Sequence, residues 1–245
     1  MRTFHELLKA SAETHGHLCP GQVVGVRMAL LGCYLIGINE PDRHDQIKNL
    51  LIYIEMDRCT ADAIAHVTGV RLGRRSLKFM DYGIMAATFV NLRTTESYRI
   101  LSTEEARDLA SMYAPEFTEK HQQQIVAYQR MPDSVLFRVY RVEVKISEFD
   151  LPGPTRRKVA CSRCGQIVRD HREVFEEEAL LCRPCSDDAY FINAREVICP
   201  EMNGSLNRLK LSPAKDLQKR AVTIEHTKLS LKDSDRPVMK KGIAM

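Results

Sequence analysis

The stretch "HLCPGQVVGVRMALLGCYLIGI", residues 17–38, decides the fold because it predicts a helix that is buried on every side. Pro20 suits the first turn of a helix, since its ring fixes the backbone and its missing N–H would have no intrahelical partner there. From Pro20 to about Ile36 the residues are apolar nearly all round, and such a helix belongs in a protein core. The apolar run at 28–38 is too short to span a bilayer.

The segments around this helix predict a mixture of helices and strands. Apolar periodicity predicts helices at residues 3–14, 103–113 and 116–130. Apolar and alternating runs predict strands at 49–56, as a pair within 76–92 around a turn at 81–83, and at 134–146. A short helix with Thr60 as its cap and Gly69 as its stop follows the first strand. Because βαβ units do not alternate regularly, we expect an α+β core of mixed helices and strands.

Length and composition are those of an ordinary globular protein. The 245 residues can form one large domain or two to three small ones, and 44% hydrophobic with 28% charged residues is typical of that class. The start "MRTFHELLKASAETHG", residues 1–16, lacks the basic end and apolar run of a secretory signal. We therefore expect a cytoplasmic protein without a membrane partner, in which cysteines serve metal binding or catalysis instead of disulfides.

Charge and linker composition predict three parts. Residues 192–245 hold 11 Lys and Arg against 6 Asp and Glu, whereas the preceding residues are almost neutral. The segment "DLPGPTRRK", 150–158, has the prolines, glycine and basic residues of a linker. We expect a core domain at 1–150, a small zinc-finger domain at 156–191 and a basic, partly disordered extension at 192–245. A basic extension can bind nucleic acid or an acidic partner, but most often it is simply solvated.

The stretch "CSRCGQIVRDHREVFEEEALLCRPC", residues 161–185, predicts a zinc site made by Cys161, Cys164, Cys182 and Cys185. Two C-x2-C pairs at this separation can place four thiolates around one ion. Redox disulfides of thioredoxin type are the alternative, but that motif follows a strand of a βαβ unit and normally occurs once. A helix predicted over "SDDAYFINARE", 186–196, gives a treble-clef arrangement. A module this small needs its metal to fold, so we expect structural zinc.

A second metal site is predicted in the core. The loop before the buried helix holds His15, His17 and Cys19, and Asp57 and Cys59 follow the first predicted strand at the start of a helix. If the two segments meet, His17, Cys19 and Cys59 supply three ligands and leave one open position, as in reactive metal sites. Asp57 then lies behind the ligands or acts as a base. The alternative is that both cysteines are small buried hydrophobes.

Three parts of the chain match the pattern of one family: "HGHLCPGQVVGVRMA", 15–29, "DRCTADAIAHVTGVRLGRRSLKFMDYGIMAATF", 57–89, and the four-cysteine module. Together they resemble the FmdE family of formylmethanofuran dehydrogenase components over roughly residues 3–190. The resemblance implies an α+β core, often paired as a homodimer, with a metal or active site around the His-x-His-x-Cys loop. It points to a set of five positions, among which Cys59, Asp57 and His15 are the catalytic candidates: His15, His17, Cys19, Asp57 and Cys59. Arg74 and Arg75 depart from the Gly-Lys type of pair expected there, which disfavours an anion-binding role at that place.

The resulting functional expectation is a metal-binding protein of one-carbon and molybdenum- or tungsten-enzyme metabolism. It would be accessory to formylmethanofuran dehydrogenase-type chemistry, as a component or partner of such an oxidoreductase, with zinc in the finger and a second metal ion in the core. The alternative is a binding module or regulator that docks nucleic acid or a protein through the finger and the basic extension. Few aromatic residues lie in that part of the chain, which disfavours nucleic-acid stacking.

Overall fold

The computed structural model of the protein describes residues 2–41 and 44–196. The α-helices within these residues are α1 (Phe4–His15), α2 (Pro20–Leu35), α3 (His44–Ile47), α4 (Cys59–Thr68), α5 (Glu105–Asp108), α6 (Ala110–Tyr113), α7 (Lys120–Arg130) and α8 (Asp133–Leu136). The core strands are β1 (Leu50–Ile54), β2 (Leu77–Phe79), β3 (Ala86–Asn91), β4 (Ser97–Ser102) and β5 (Phe137–Arg141). The cysteine module contains β6 (Lys158–Ala160), β7 (Ile167–Arg169), β8 (Val174–Glu176) and β9 (Ala179–Leu181).

The core is one five-stranded sheet with helices packed against it around α2. The strand order is β2-β1-β3-β4-β5, in which β1 and β2 run parallel and the other neighbours antiparallel. Helix α2 contacts α1, α4 and α7 as well as β3 and β4. Val23 and Met28 of α2, like Ile52 and Phe89 of the sheet, are completely buried. Burial of one such side chain stabilises a fold by roughly 1.5–3 kcal/mol. The buried helix and the α+β core are confirmed.

Helix α4 lies unusually close to the first turns of α2. A Cβ added to Gly21 would lie 2.9 Å from the Cβ of Cys59, a distance that real side chains do not tolerate. Thr60 is not the cap of α4 as predicted, because Arg58 occupies the cap position and the helix already begins at Cys59. The Thr60 hydroxyl instead donates to the carbonyl oxygen of Gly21 at 3.2 Å. A residue predicted to cap the helix therefore joins the two helices.

The strand pair predicted within 76–92 is wrong in its pairing. Both β2 and β3 form, but β1 lies between them. The connecting residues bond to the end of β1 instead of turning back on themselves: the N–H of Met80 donates to Ile54 O at 2.8 Å and that of Ile84 to Glu55 O at 3.1 Å. Because of these long-range hydrogen bonds, the connecting segment passes the end of β1 and leaves β2 and β3 on opposite sides of that strand.

The long strand predicted at 134–146 is also shorter than expected. Its first residues form the helical turn α8, in which the N–H groups of Val135 and Leu136 bond to Pro132 O. Only residues 137–141 are strand β5, at the edge of the sheet. Phe137 is buried, whereas Val139 in the same edge strand is 42% exposed.

The cysteine module is a small zinc-finger domain made of two hairpins, β6–β7 and β8–β9. Residues 183–185 form a 3₁₀ turn after the second hairpin. The helix predicted over residues 186–196 is not formed. Asp187 and Asn193 have φ values of 63° and 54°, in the left-handed region that a right-handed helix excludes.

Residues Met1–Tyr190 form one compact unit, so the finger and the core belong together. Arg75 of the core pairs with Asp170 of the finger and also donates to Phe149 O. Arg75 is therefore engaged in joining the two parts. The second unit is Phe191–Met245, of which residues 191–196 are described and contain neither helix nor strand. The basic extension predicted at 192–245 lies, from residue 197 on, outside the described residues.

Among the described residues, no helix combines the length and the apolar character that crossing a membrane requires.

Candidate metal centres

The loop between α1 and α2 gathers three side chains that can bind metal. Helix α1 ends at Gly16, whose φ of +97° is a left-handed conformation that favours glycine. Cys19 follows in extended conformation at the cap of α2. One ligand atom each of His15, His17 and Cys19 lies within 4.8 Å of the others. The short turn between two helices thus brings together three residues that the sequence singled out.

Cys59 lies beside this group. The Cys59 thiol interacts with the Cys19 thiol. Burial raises the pKa of Cys19 most, and the interaction with Cys59 raises it further. Hydrogen bonds from the backbone N–H groups of Gln22 and Gly21 lower the same pKa. The buried side chain of Gln22 accepts a hydrogen bond from Ser11 at 2.5 Å and donates to Cys59 O at 2.8 Å. This network ties α1, α2 and the start of α4 together. Cys59 is not a member of the group of three, although it contacts Cys19.

Asp62 and His66 of α4 were missed by the sequence reasoning. The Asp62 carboxylate accepts a hydrogen bond from His15 Nδ1 at 2.9 Å, and Thr14 Oγ1 lies 3.2 Å from His66 Nδ1. Burial lowers the pKa of His66. Cys59, Asp62 and His66 are spaced by three and four residues and so share one face of α4, a pattern that is visible in the sequence. Asp62 and His66 line a cleft of about 530 Å³ together with His15.

Two acidic residues near the end of β1 do not belong to this group of three. Asp57 is exposed in the segment between β1 and α4, and the group of three does not include it. Glu55 is buried at the end of β1 and accepts two hydrogen bonds from Arg99, at 2.7 and 2.6 Å. This pairing raises the pKa of Arg99. Glu55 therefore has a structural partner within the sheet.

The donor set of the loop fits a metal ion. A thiol and two imidazoles are ligands that Zn²⁺ and neighbouring transition metals prefer. His15 Nε2 is buried and has no hydrogen-bond partner among the described residues, which is an unfavourable state for a polar atom. A metal ion at this position would satisfy it. His17 is exposed and Cys19 is buried, so the site would be reached from solvent on the His17 side.

The four finger cysteines form the second group that could hold a metal ion. Backbone N–H groups of Cys182 and Cys164 stabilise the Cys161 thiolate and lower the pKa of that residue to about 6. The hydrogen bond with Cys182, with burial adding to it, raises the pKa of Cys185 to about 12. Gly165 follows the first pair with φ of +72° and donates its N–H to Cys161 O at 2.9 Å. The Cys164 and Cys182 sulfurs lie 3.7 Å apart, and this cluster fits a zinc finger.

Comparison with known proteins extends this description. The model of a family described as "FmdE, Molybdenum formylmethanofuran dehydrogenase operon" matches residues 14–138, just over half of the chain. That range includes the His-x-His-x-Cys loop and Cys59 but ends before the finger.

Two similar proteins each match over 78% of the chain. A protein of Archaeoglobus fulgidus described as a probable S-adenosyl-L-methionine-binding protein is 23% identical over 207 residues, which are 78% of this chain and 56% of that protein. The chain thus spans a little over half the length of this curated relative. A tungsten formylmethanofuran dehydrogenase FmdE-like protein of Syntrophus aciditrophicus has a solved structure that covers 78% of this chain and 96% of its own, with 18% identity and a TM-score of 0.51. At that identity the likeness shows the fold alone.

Proposed function

Since the chain belongs to the FmdE family, we propose that it is a metal-binding accessory protein of one-carbon metabolism that serves a molybdenum or tungsten enzyme of formylmethanofuran dehydrogenase type. One observation carries the proposal: the ligand atoms of His15, His17 and Cys19 lie within 4.8 Å of one another. The Cys59 thiol beside Cys19 is the fourth donor.

The chemistry of the core site follows from its ligands. With all four donors bound, the metal ion can be held or passed to a partner. When Cys59 leaves the fourth position open, the ion can polarise a small carbonyl group or activate water. Cys19 is buried and its pKa is raised, so metal binding must displace its proton, which makes the affinity rise with pH. In this proposal Asp57, which is exposed two residues before Cys59, exchanges protons between the site and solvent.

The finger has a different role in this proposal. Its four thiolates bind zinc, and the metal is structural because the buried hydrophobic cluster of the module is very small: Cys161, Leu181 and Cys182.

The family resemblance further leads us to propose that two copies of the chain pair and that the pair binds the molybdenum or tungsten enzyme. What supports a protein contact is the apolar exposure at the end of β2 and in the segment that follows, where Phe79, Tyr82 and Ile84 are 42%, 61% and 39% exposed. Three large apolar side chains exposed within six residues favour a protein-binding segment. Light scattering of the purified chain tests the pairing, and a monomer at micromolar concentration would contradict it.

The metal content of variants tests the core site. Elemental analysis of the full chain should give two metal equivalents in wild type and one in Cys19→Ala, because the finger keeps its own ion. Cys59→Ser should bind the core ion more weakly. Cys33→Ala is the matched control, since Cys33 is a buried thiol of α2 whose pKa burial raises to about 12, and it should keep two equivalents. One equivalent in the wild type would overturn the proposal.

A further outcome would favour the alternative function. If the chain forms a salt-sensitive complex with nucleic acid that is lost on deletion of residues 192–245, the finger and the basic extension act as a binding module.

A further inference from the structure

The contact between His15 and Asp62 joins the metal-binding loop to a different helix. His15 is the last residue of α1 and its side chain is 15% exposed, whereas Asp62 lies in the first turn of α4 with its side chain 68% exposed. His15 Nδ1 and Asp62 Oδ2 are 2.9 Å apart. A carboxylate can only accept, so Nδ1 carries the proton that it donates.

The two ring nitrogens of His15 then have different environments. Nδ1 is bonded to Asp62, while Nε2 is buried and without a hydrogen-bond partner among the described residues. In the opposite tautomer the Nδ1 lone pair would face the carboxylate, and two acceptors in contact repel each other. The hydrogen bond on one nitrogen thus decides which nitrogen is free to bind.

We infer that Asp62 is a positioning residue for His15: it holds the imidazole in the Nδ1–H tautomer and directs Nε2 toward His17 and Cys19. This inference rests on the proposed core metal site. A carboxylate behind a metal-binding histidine fixes the ring orientation and makes the ligand more basic, and its removal typically lowers metal affinity about 10- to 100-fold.

The placement of Asp62 also connects the two segments of the site. Asp62 lies one helical turn after Cys59 on the same face of α4. Helix α4 therefore offers a thiol to Cys19 and a carboxylate to His15, and it contacts the two sides of the loop at once. Because the Asp62 side chain is mostly exposed, its replacement should leave the fold intact.

The tautomer can be measured without any core metal. Long-range ¹⁵N–¹H correlation spectra of the full chain, with zinc in the finger only, should show His15 protonated on Nδ1 in the wild type. Asp62→Ala should shift the ring toward the Nε2–H form. Asp62→Asn should rescue the Nδ1–H form, since the amide oxygen of asparagine still accepts. Glu13→Ala is the matched control: it removes an exposed carboxylate two residues before His15 and should leave the tautomer unchanged.

Metal affinity is the second measurement. Co²⁺ titrated into the same zinc-loaded chain should bind about 10- to 100-fold more weakly in Asp62→Ala, with an intermediate loss in Asp62→Asn and none in Glu13→Ala. The visible absorption bands of the bound Co²⁺ show which kinds of ligand atom surround the ion.

The outcomes separate the inference from the proposed function. An Nε2–H tautomer in the wild type, or equal Co²⁺ affinity in wild type and Asp62→Ala, overturns the positioning role even if the core site binds metal. A correct tautomer in a wild-type chain that binds no Co²⁺ at the loop overturns the proposed metal site, and the contact is then structural.

Discussion

Gly25 of α2 and Ala63 of α4 meet where the two helices cross. A Cβ added to Gly25 would lie 2.6 Å from the Cβ of Ala63 and 2.7 Å from the carbonyl oxygen of Thr60. The absence of a side chain therefore sets the separation of the helices. Cys19 occupies the N-cap position of α2 and Cys59 begins α4, so the close approach of the two helices brings these residues near each other.

Gly25→Ala should push the helices apart. Overpacking of this kind costs about 1–3 kcal/mol of stability, and the core metal affinity should fall with it. Gly73→Ala is the control, because no atom lies within 4 Å of a Cβ at that position and its stability should change by less than about 0.5 kcal/mol. Urea denaturation measures both variants. Equal stabilities would show that the helices can shift without cost.

Glu55→Gln should destabilise the sheet. The buried carboxylate of Glu55 accepts two hydrogen bonds from Arg99, and a glutamine would turn its own N–H donors toward the guanidinium. Loss of such a charged pair of bonds costs roughly 1.5–3 kcal/mol. Glu104→Gln removes an exposed pair with Arg107 at 3.4 Å and should cost below about 0.5 kcal/mol. Chemical denaturation measures the free energy of unfolding of both variants. Similar losses of stability would contradict the idea that burial makes the Glu55–Arg99 pair the more important of the two.

Asp170→Asn should weaken the junction between finger and core in a pH-dependent way. Hydrogen bonds from the backbone of Arg156, followed by Arg75, lower the pKa of Asp170. A carboxyl group whose pKa is lower in the folded than in the unfolded protein stabilises the fold above its unfolded pKa of about 3.9. This stabilisation is lost as the pH falls through the pKa of the folded protein. The thermal midpoint of the variant should therefore lie below that of wild type at pH 6, and the difference should shrink below about pH 4.

The control for this experiment is Asp188→Asn. Asp188 is also a finger carboxylate, but its side chain is 69% exposed and lies 3.8 Å from Arg183. Its thermal midpoint should follow that of wild type at each pH. A difference between wild type and Asp170→Asn that stays constant from pH 6 to pH 3 would show that the charge of Asp170 is not involved.

Cys182→Ser should remove the metal of the finger and unfold its hairpins. The module buries too little apolar surface to hold β6–β9 without an ion. Hydrogen exchange should become fast in these strands while α2 and β3 stay protected, because their core cluster is separate. Treatment of wild type with a chelator should give the same pattern, and zinc should reverse it. Loss of protection in α2 would show that finger and core fold as one cooperative unit.

Much of the fold follows from local patterns that the sequence displays. The apolar faces of α2 predicted its burial, and the run of β1 predicted a core strand. Predictions failed where distant bonds competed with local ones. The strands around residues 81–83 read as a hairpin, but the bonds of Met80 and Ile84 to the end of β1 place that strand between them. The helix expected after Cys185 is excluded by backbone angles that residue preferences did not reveal.

The sequence by itself determined the two sets of candidate ligands: a loop with His15, His17 and Cys19 between two helices, and two C-x2-C pairs. Short spacing brings together His15, His17 and Cys19, and likewise the two cysteines of each C-x2-C pair. The two pairs themselves meet because the hairpins β6–β7 and β8–β9 fold back between them. Only the tertiary structure decided that Cys59 contacts Cys19 and that Asp62 binds His15. Those contacts join residues 40 and 47 positions apart, and they depend on the close approach of α2 and α4 at two glycines, which no local pattern encodes.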